Sequence, residues 1–318
     1  MAQSASAVYR TRLRQMMAPG RPPTRAATPP ALPPGHTLVL PGRGEIFIRD
    51  LPGPTDATPV LLLHGWIASS DLNWFGAFAA FEGERRVIAV DHRGHGRGIR
   101  TTESFTLADC ADDAAALLDV LGLPHAVVAG YSMGGPISLL LARRHPDRVR
   151  GLVVAATALT FSDTAAERWR WRGLWLVHAA IRLGLGDRLL RRLAADLGGL
   201  DPTFEPYTSW MAGEFSRSHP RALFEAGREL ARFDARPWAG ALGVPAASVI
   251  TERDSLVPHR RQRALAALLG ATVHSLPGAD HDVPVTDIAS FAATLRAAVD
   301  EVDPRPAAQP ADLAVAAS

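Results

Sequence analysis

A doubly wound, mostly parallel α/β sheet carrying a helical insertion is the fold class this chain predicts, and three observations predict it. Short β-branched apolar runs recur along the sequence, each stopped by glycine or polar residues. Helical stretches separate the later runs. Between Leu159 and Gly243 the alternation stops, and only helical patterns rich in Trp, Leu and Arg continue. Alternating strands and helices imply crossover units, in which short strands are apolar because both faces are covered.

The first element is a hairpin over 36–50, HTLVLPGRGEIFIRD, with its turn at Pro41–Gly44. Buried strands are expected in TPVLLLHG (58–65), RRVIAVDHRG (85–94), HAVVAGYS (125–132), VRGLVVAAT (149–157) and VPAASVITERD (244–254), with ATVHSL as a last short one. LADCADDAAALLDVLGL (107–123) has acids early and Gly122 near its end, a helix start and stop. MGGPISLLLARRHP and RRQRALAALLG are helical too. In the interruption, AAERWRWRGLWLVHAAIRLGLGDRLLRRLAADLGG and PRALFEAGRELARFDARPW are the clearest helices. They place a cap or lid at 159–243 over a core made of 36–158 and 244–300. Trp169, Trp171 and Trp175 of that cap are expected to pack helices, with contact to an apolar substrate or a membrane surface as the other possibility.

Composition narrows the function. The formal charge of +2 on 318 residues is too near balance for a nucleic-acid binder, and all 34 cationic side chains are Arg. Cys110 is the single cysteine, so no intramolecular disulfide forms and a reducing, cytoplasmic setting is expected. No apolar run approaches the roughly 20 residues that span a bilayer. Residues 1–35 hold five Arg, no acid and a Pro-rich second half, which reads as a flexible basic arm without the apolar core of a secretory signal. A short basic helix lined by Val8, Leu13, Met16 and Met17, touching anionic lipid or docking on the body, is the other reading of that arm. Residues 301–318 read as a loose tail.

The chemistry lies in Gly130-Tyr131-Ser132-Met133-Gly134-Gly135, between a predicted strand and a predicted helix. A G-x-S-x-G serine in that context sits on a sharp turn at the carboxyl edge of the sheet. Gly130 and Gly134 are required because a Cβ at either would clash across the turn. A neutral hydroxyl needs a base to become a nucleophile, and the base needs a carboxylate to orient it. Asp254 ends a late strand at the same edge, and His281 is the one histidine in a loop after the last predicted strand. Ser132, Asp254 and His281 are therefore the candidate catalytic triad.

These residues, with His64-Gly65-Trp66 at 64–66 and D-x-R-G-x-G at 91–96, make residues 36–300 resemble the α/β-hydrolase superfamily. The resemblance implies an oxyanion hole from the backbone N–H groups of Met133 and Trp66, with His64 and Gly65 supporting the second. Asp91, Arg93 and His95 are expected to fix their loop near the site rather than react. The family pattern usually continues with a small polar residue where this chain has Arg97. Trp66 and Tyr131 are the candidate pocket residues. His92 and His95 lack further clustered ligands, so no metal and no cofactor are expected. The resemblance implies hydrolysis of a carboxylic ester, with a lipid ester or lactone included. C–C bond hydrolysis and cofactor-free perhydrolysis use the same triad and stay open, as does a non-catalytic relative that binds a small ligand.

Overall fold

The computed structural model describes residues 30–165, 167–169, 171, 173 and 208–304. The predicted basic arm up to residue 29, the tail from 305, Trp175 and the central part of the predicted cap at 174–207 lie outside the described residues. Eight strands form one sheet: β1 (Gly35–Leu40), β2 (Gly44–Leu51), β3 (Val60–Leu63), β4 (Val87–Val90), β5 (Ala126–Tyr131), β6 (Val149–Ala155), β7 (Ala246–Thr251) and β8 (Thr272–Leu276). Their order is β1-β2-β4-β3-β5-β6-β7-β8. Only the β1–β2 and β2–β4 pairs are antiparallel. Every predicted strand is present, and the doubly wound sheet is the observed architecture.

Alternation along the strands decides which layer each side chain joins. Leu61, Leu63, Ile88, Val90, Val128, Leu152 and Val154 face helices α2 (Leu107–Val120) and α3 (Gly134–Arg144) in one buried cluster. Their neighbours Val60, Leu62, Val87, Ala89, Val127, Ala129 and Val153 face α8 (Ile288–Val302) in another. Each β-strand sends successive side chains to opposite faces, so a strand covered on both sides reads as an unbroken apolar run. Helix α2 begins with a capping box in which Thr106 and Asp109 satisfy each other's backbone N–H, and Gly122 follows its end at φ 65°.

The packed chain is longer than expected at both ends. Pro33 is buried, and its carbonyl accepts a hydrogen bond from Arg49 at 2.9 Å, so the core begins before residue 36. Helix α8 runs to Val302, and Asp303 lies 2.8 Å from the fully buried Arg85 guanidinium. A buried cation needs its carboxylate, and that need keeps residues 301–303 on the body.

Within 159–243 the described residues include α4 (Thr208–Ser216), α5 (Pro220–Arg232) and helical positions near Trp169. The ends of this stretch meet: Thr160 bridges Asp234, and Ala235 N–H donates to Leu159 O at 2.8 Å. Glu214 of α4 is 2% exposed, close to Arg97 at 3.4 Å and accepting from Ser69 Oγ at 2.8 Å. Among the described residues the remaining α-helices are α1 (Ser70–Trp74), α6 (His259–Leu269) and α7 (Val283–Thr286). Among the described residues no helix is long and apolar enough to cross a membrane.

Candidate active site

Ser132 follows β5 directly and has φ 51°, in the left-handed region that a serine rarely adopts. Close approach enforces the turn. A Cβ on Gly130 would lie 2.2 Å from Gly134 O, and one on Gly134 would lie 2.0 Å from Leu63 O. The Ser132 backbone is held by its N–H donating to Ala155 O at 2.9 Å and its carbonyl accepting from Thr157 Oγ1 at 2.8 Å. Its hydroxyl therefore projects at the carboxyl edge of the sheet, just ahead of the α3 N-terminus.

The loops after β7 and β8 bring the other two candidates to it. His281 Nε2 lies 2.9 Å from Ser132 Oγ, and His281 Nδ1 lies 2.8 Å from Asp254 Oδ2. A carboxylate only accepts, so Nδ1 carries the proton and the bare Nε2 can take one from the serine. The Asp254 side chain is wholly buried and gathers further donors: Thr251 Oγ1 at 2.7 Å, and the N–H groups of Leu256 and Val257 at 2.9 and 2.7 Å. The His281 loop is fixed from two sides. Its N–H donates to Asp280 Oδ1 at 2.7 Å, and its carbonyl accepts from Tyr131 Oη at 2.6 Å.

That last contact corrects one expectation. Tyr131 does not line a pocket: it is 2% exposed, packed among Trp74, Phe291 and the His281 ring. Side chains alternate along β5, and the residue before Ser132 points into the sheet layer. Burial first, and then Asp254, push the Tyr131 phenol well up, so it stays a protonated donor.

The 64–66 loop packs against the serine, and a Cβ on Gly65 would come within 3.2 Å of Ser132 Cβ. Asn73, which the motifs did not single out, accepts from Gly65 N–H at 2.6 Å. His64 Nε2 accepts from His92 N–H at 3.0 Å, so its Nδ1 donates to Gly65 O at 2.8 Å. The ring works as a neutral two-ended spacer, and burial lowers its pKa accordingly. The His92 and His95 rings lie 4.3 and 5.4 Å from it. Among the described residues no group of three or more His, Cys, Asp or Glu is arranged to hold a metal ion. Also among the described residues, the Trp66 and Met133 backbone N–H groups have no acceptor. The Trp66 indole is occupied, donating to Leu223 O of α5 at 2.7 Å with Trp171 5.6 Å away. Trp169 is 70% exposed.

Asp91 and Arg93 both have buried partners. Asp91 accepts from the Ser70 N–H and hydroxyl at 2.7 and 2.6 Å, and Arg93 grips Asp113 bidentately at 2.6 and 2.7 Å. Arg97 fills its unusual place by reaching Asp71, Asp91 and Glu214 at 2.8, 3.2 and 3.4 Å, with its guanidinium 3.8 Å over the Phe47 ring. It thereby ties α4 to the loop.

A serine, a buried carboxylate and an imidazole in this chain order, on this sheet, point to one family. Residues 58–287 match the family model described as alpha/beta hydrolase fold. The chain belongs to the α/β-hydrolase family. RutD of Variovorax paradoxus (strain S110), named as a candidate carbamate hydrolase, is 31% identical over 254 residues, 75% of this chain and 90% of the relative. The bifunctional esterase/perhydrolase DCH of Acinetobacter calcoaceticus is 38% identical over 104 residues, 32% of this chain and 37% of the relative. Other curated relatives are likewise matched over only 28–45% of their own length. Among solved structures, the esterase EaEST from Exiguobacterium antarcticum superposes with a TM-score of 0.71 at 20% identity, over 84% of this chain and all of that one, a likeness of fold.

Proposed function

We propose that the protein hydrolyses a carboxylic ester through an acyl-enzyme on Ser132, with His281 as base and Asp254 as the carboxylate that orients it. The observation that carries this is the continuous line from Ser132 Oγ to His281 Nε2 at 2.9 Å and from Nδ1 to Asp254 at 2.8 Å. Ser132 Oγ attacks the acyl carbon while His281 Nε2 takes its proton, and the alcohol then leaves with that proton. Water, deprotonated by the same nitrogen, releases the acid. The Met133 and Trp66 N–H groups receive the charge that develops on the carbonyl oxygen, and each such donor is worth about 3–4 kcal/mol of transition-state stabilisation. The cap over 159–243 selects the substrate.

Hydrolysis of p-nitrophenyl esters from acetyl to palmitoyl tests this directly. Ser132→Ala is expected to lose at least about 1,000-fold in kcat, and the preferred chain length sizes the acyl pocket. A Ser132→Ala protein with full activity would overturn the assignment. Perhydrolysis is the second reading, favoured by the name of the DCH relative. It requires that hydrogen peroxide compete with water for the same acyl-enzyme and yield peracid.

A further inference from the structure

Asp254 is held by a side chain that the motifs did not reveal. Gln262, in the second turn of α6, is 1% exposed. Its Oε1 accepts from Thr251 N–H at 3.1 Å. Its Nε2 lies 2.8 Å from Val257 O, 2.8 Å from Thr251 Oγ1 and 3.1 Å from Asp254 Oδ2. An amide nitrogen only donates and a carboxylate only accepts. The direction of the chain is thereby set: Gln262 donates to the Thr251 hydroxyl, and that hydroxyl donates to Asp254 Oδ2 at 2.7 Å. The oxygen facing His281 therefore takes protons from Thr251 and Gln262 as well as from the imidazole.

Thr251 N–H satisfies the amide oxygen and Val257 O takes one of the two amide N–H groups, so the second N–H is shared between Thr251 Oγ1 and Asp254 Oδ2. The reach to the carboxylate adds charge-assisted bonds, which are shorter and roughly twice as strong as neutral ones. They have two consequences for the imidazole. The carboxylate cannot swing away from Nδ1, and its negative charge is partly spent on donors other than His281.

We propose that, given the acyl-transfer chemistry above, Gln262 is a positioning residue: acting with Thr251, it locks the Asp254 carboxylate onto His281 and moderates its pull on the imidazole proton. The titratable groups around His281 are Asp254, Tyr131 with its ring 5.5 Å away, Asp280 on the His281 N–H, and the adjacent Asp282. None of the four is itself substituted when Gln262 or Thr251 is replaced.

The test uses the full chain with Gln262→Met, which keeps length and removes both polar groups, together with Thr251→Val and Thr251→Ser. A fluorophosphonate probe reports Ser132 reactivity, with the labelled residue located by mass spectrometry, and kcat and KM are read on one p-nitrophenyl ester across pH. Gln262→Met and Thr251→Val are expected to lose about tenfold or more in labelling rate and kcat, with KM within about twofold. Thr251→Ser keeps the donor and retains most of the activity. Unchanged labelling rates and kcat in Gln262→Met and Thr251→Val overturn the proposal, and so does a Thr251→Ser protein as impaired as Thr251→Val. The Thr251 pair decides the matter even where Gln262→Met fails to fold. A native protein that is not labelled at Ser132 removes the acyl-transfer assignment and the clamp with it. Labelling of the native protein with unaltered variants removes the clamp alone.

Discussion

Ser132 and Asp254 stand at the two ends of one hydrogen-bonded line, yet they are held by opposite means. Ser132 is placed by what is missing: its turn closes because Gly130 and Gly134 have no Cβ where carbonyl oxygens already stand. Asp254 is placed by what is present, a buried carboxylate surrounded by Thr251, Gln262 and two backbone N–H groups. Steric exclusion fixes a backbone absolutely. Hydrogen bonds fix a side chain in proportion to their number, so the two ends should fail differently.

Gly134→Ala is the sharpest break on the serine side. Its Cβ would stand 2.0 Å from Leu63 O, with backbone on both sides and nothing flexible to move. A loss above about 3 kcal/mol is expected, seen as a collapse of the urea midpoint. Asp254→Asn on the other side should keep the fold within about 1–3 kcal/mol while kcat falls about 10,000-fold, because the amide favours the wrong imidazole tautomer. If Gly134→Ala unfolds at the native midpoint, the turn is not sterically enforced.

This contrast also explains what could be read in advance. The glycine pattern, the strands and the loops carrying Asp254 and His281 follow from local spacing and alternation and were legible, whereas the order of the strands in the sheet was not. Tyr131 was misplaced because a motif gives its position in the chain but not the face of β5 it occupies. Gln262 and Asn73 were invisible for another reason: each meets its partner only after a helix has docked, and a lone Gln or Asn in a helical stretch carries no signal. Arg97 looked like a departure from a pattern, and its partners Asp71 and Glu214 became apparent only once α1 and α4 were placed.

Acid should separate the two ends further. The 64–66 loop on the serine side rests on buried rings, and burial, with His64 close by, takes His95 from its ordinary value to about 3. Burial and neighbouring rings also push His92 well below its ordinary value. An unfolded histidine titrates near 6.5, so below that pH the unfolded chain binds protons that the folded chain refuses. Stability from His95 is complete above about pH 6.5 and is lost as pH falls toward 3. Between pH 7 and 5 it contributes a loss of about 2 kcal/mol. Urea titrations at those two pH values measure it, and His95→Phe should flatten the difference by that amount. An equal pH dependence in His95→Phe would show that His95 does not carry the loss.

On the acid–base side the corresponding single contact is small. Tyr131→Phe removes the 2.6 Å bond to the His281 carbonyl and leaves the ring packed between Trp74 and Phe291. The expected cost is about 1 kcal/mol of stability. A several-fold fall in kcat without a change in KM would mark a looser base. Equal falls in Tyr131→Phe and in a distant core variant of the same stability would assign the effect to global softening instead.

The smallest effect has the opposite sign. Ile67, next to Trp66, is a β-branched residue at φ 69°, the same left-handed region that Ser132 occupies at φ 51°. Such a backbone stores about 1–3 kcal/mol of strain, whereas asparagine enters this region at much lower cost. The Ile67 side chain is 37% exposed, so replacing it forfeits part of its apolar burial. Ile67→Asn is therefore expected to stabilise the protein by about 0.5–1 kcal/mol net, raising the midpoint of thermal unfolding by a few degrees or less. If the strained residue holds the Trp66 N–H in place, the same variant loses ester turnover while gaining stability. A variant gaining stability with unchanged turnover would leave Gly65, Asn73 and His64 as sufficient supports of that loop. The serine side would then owe its geometry to close packing and neutral hydrogen bonds alone, with the strain at Ile67 a consequence of the tight path between β3 and α1.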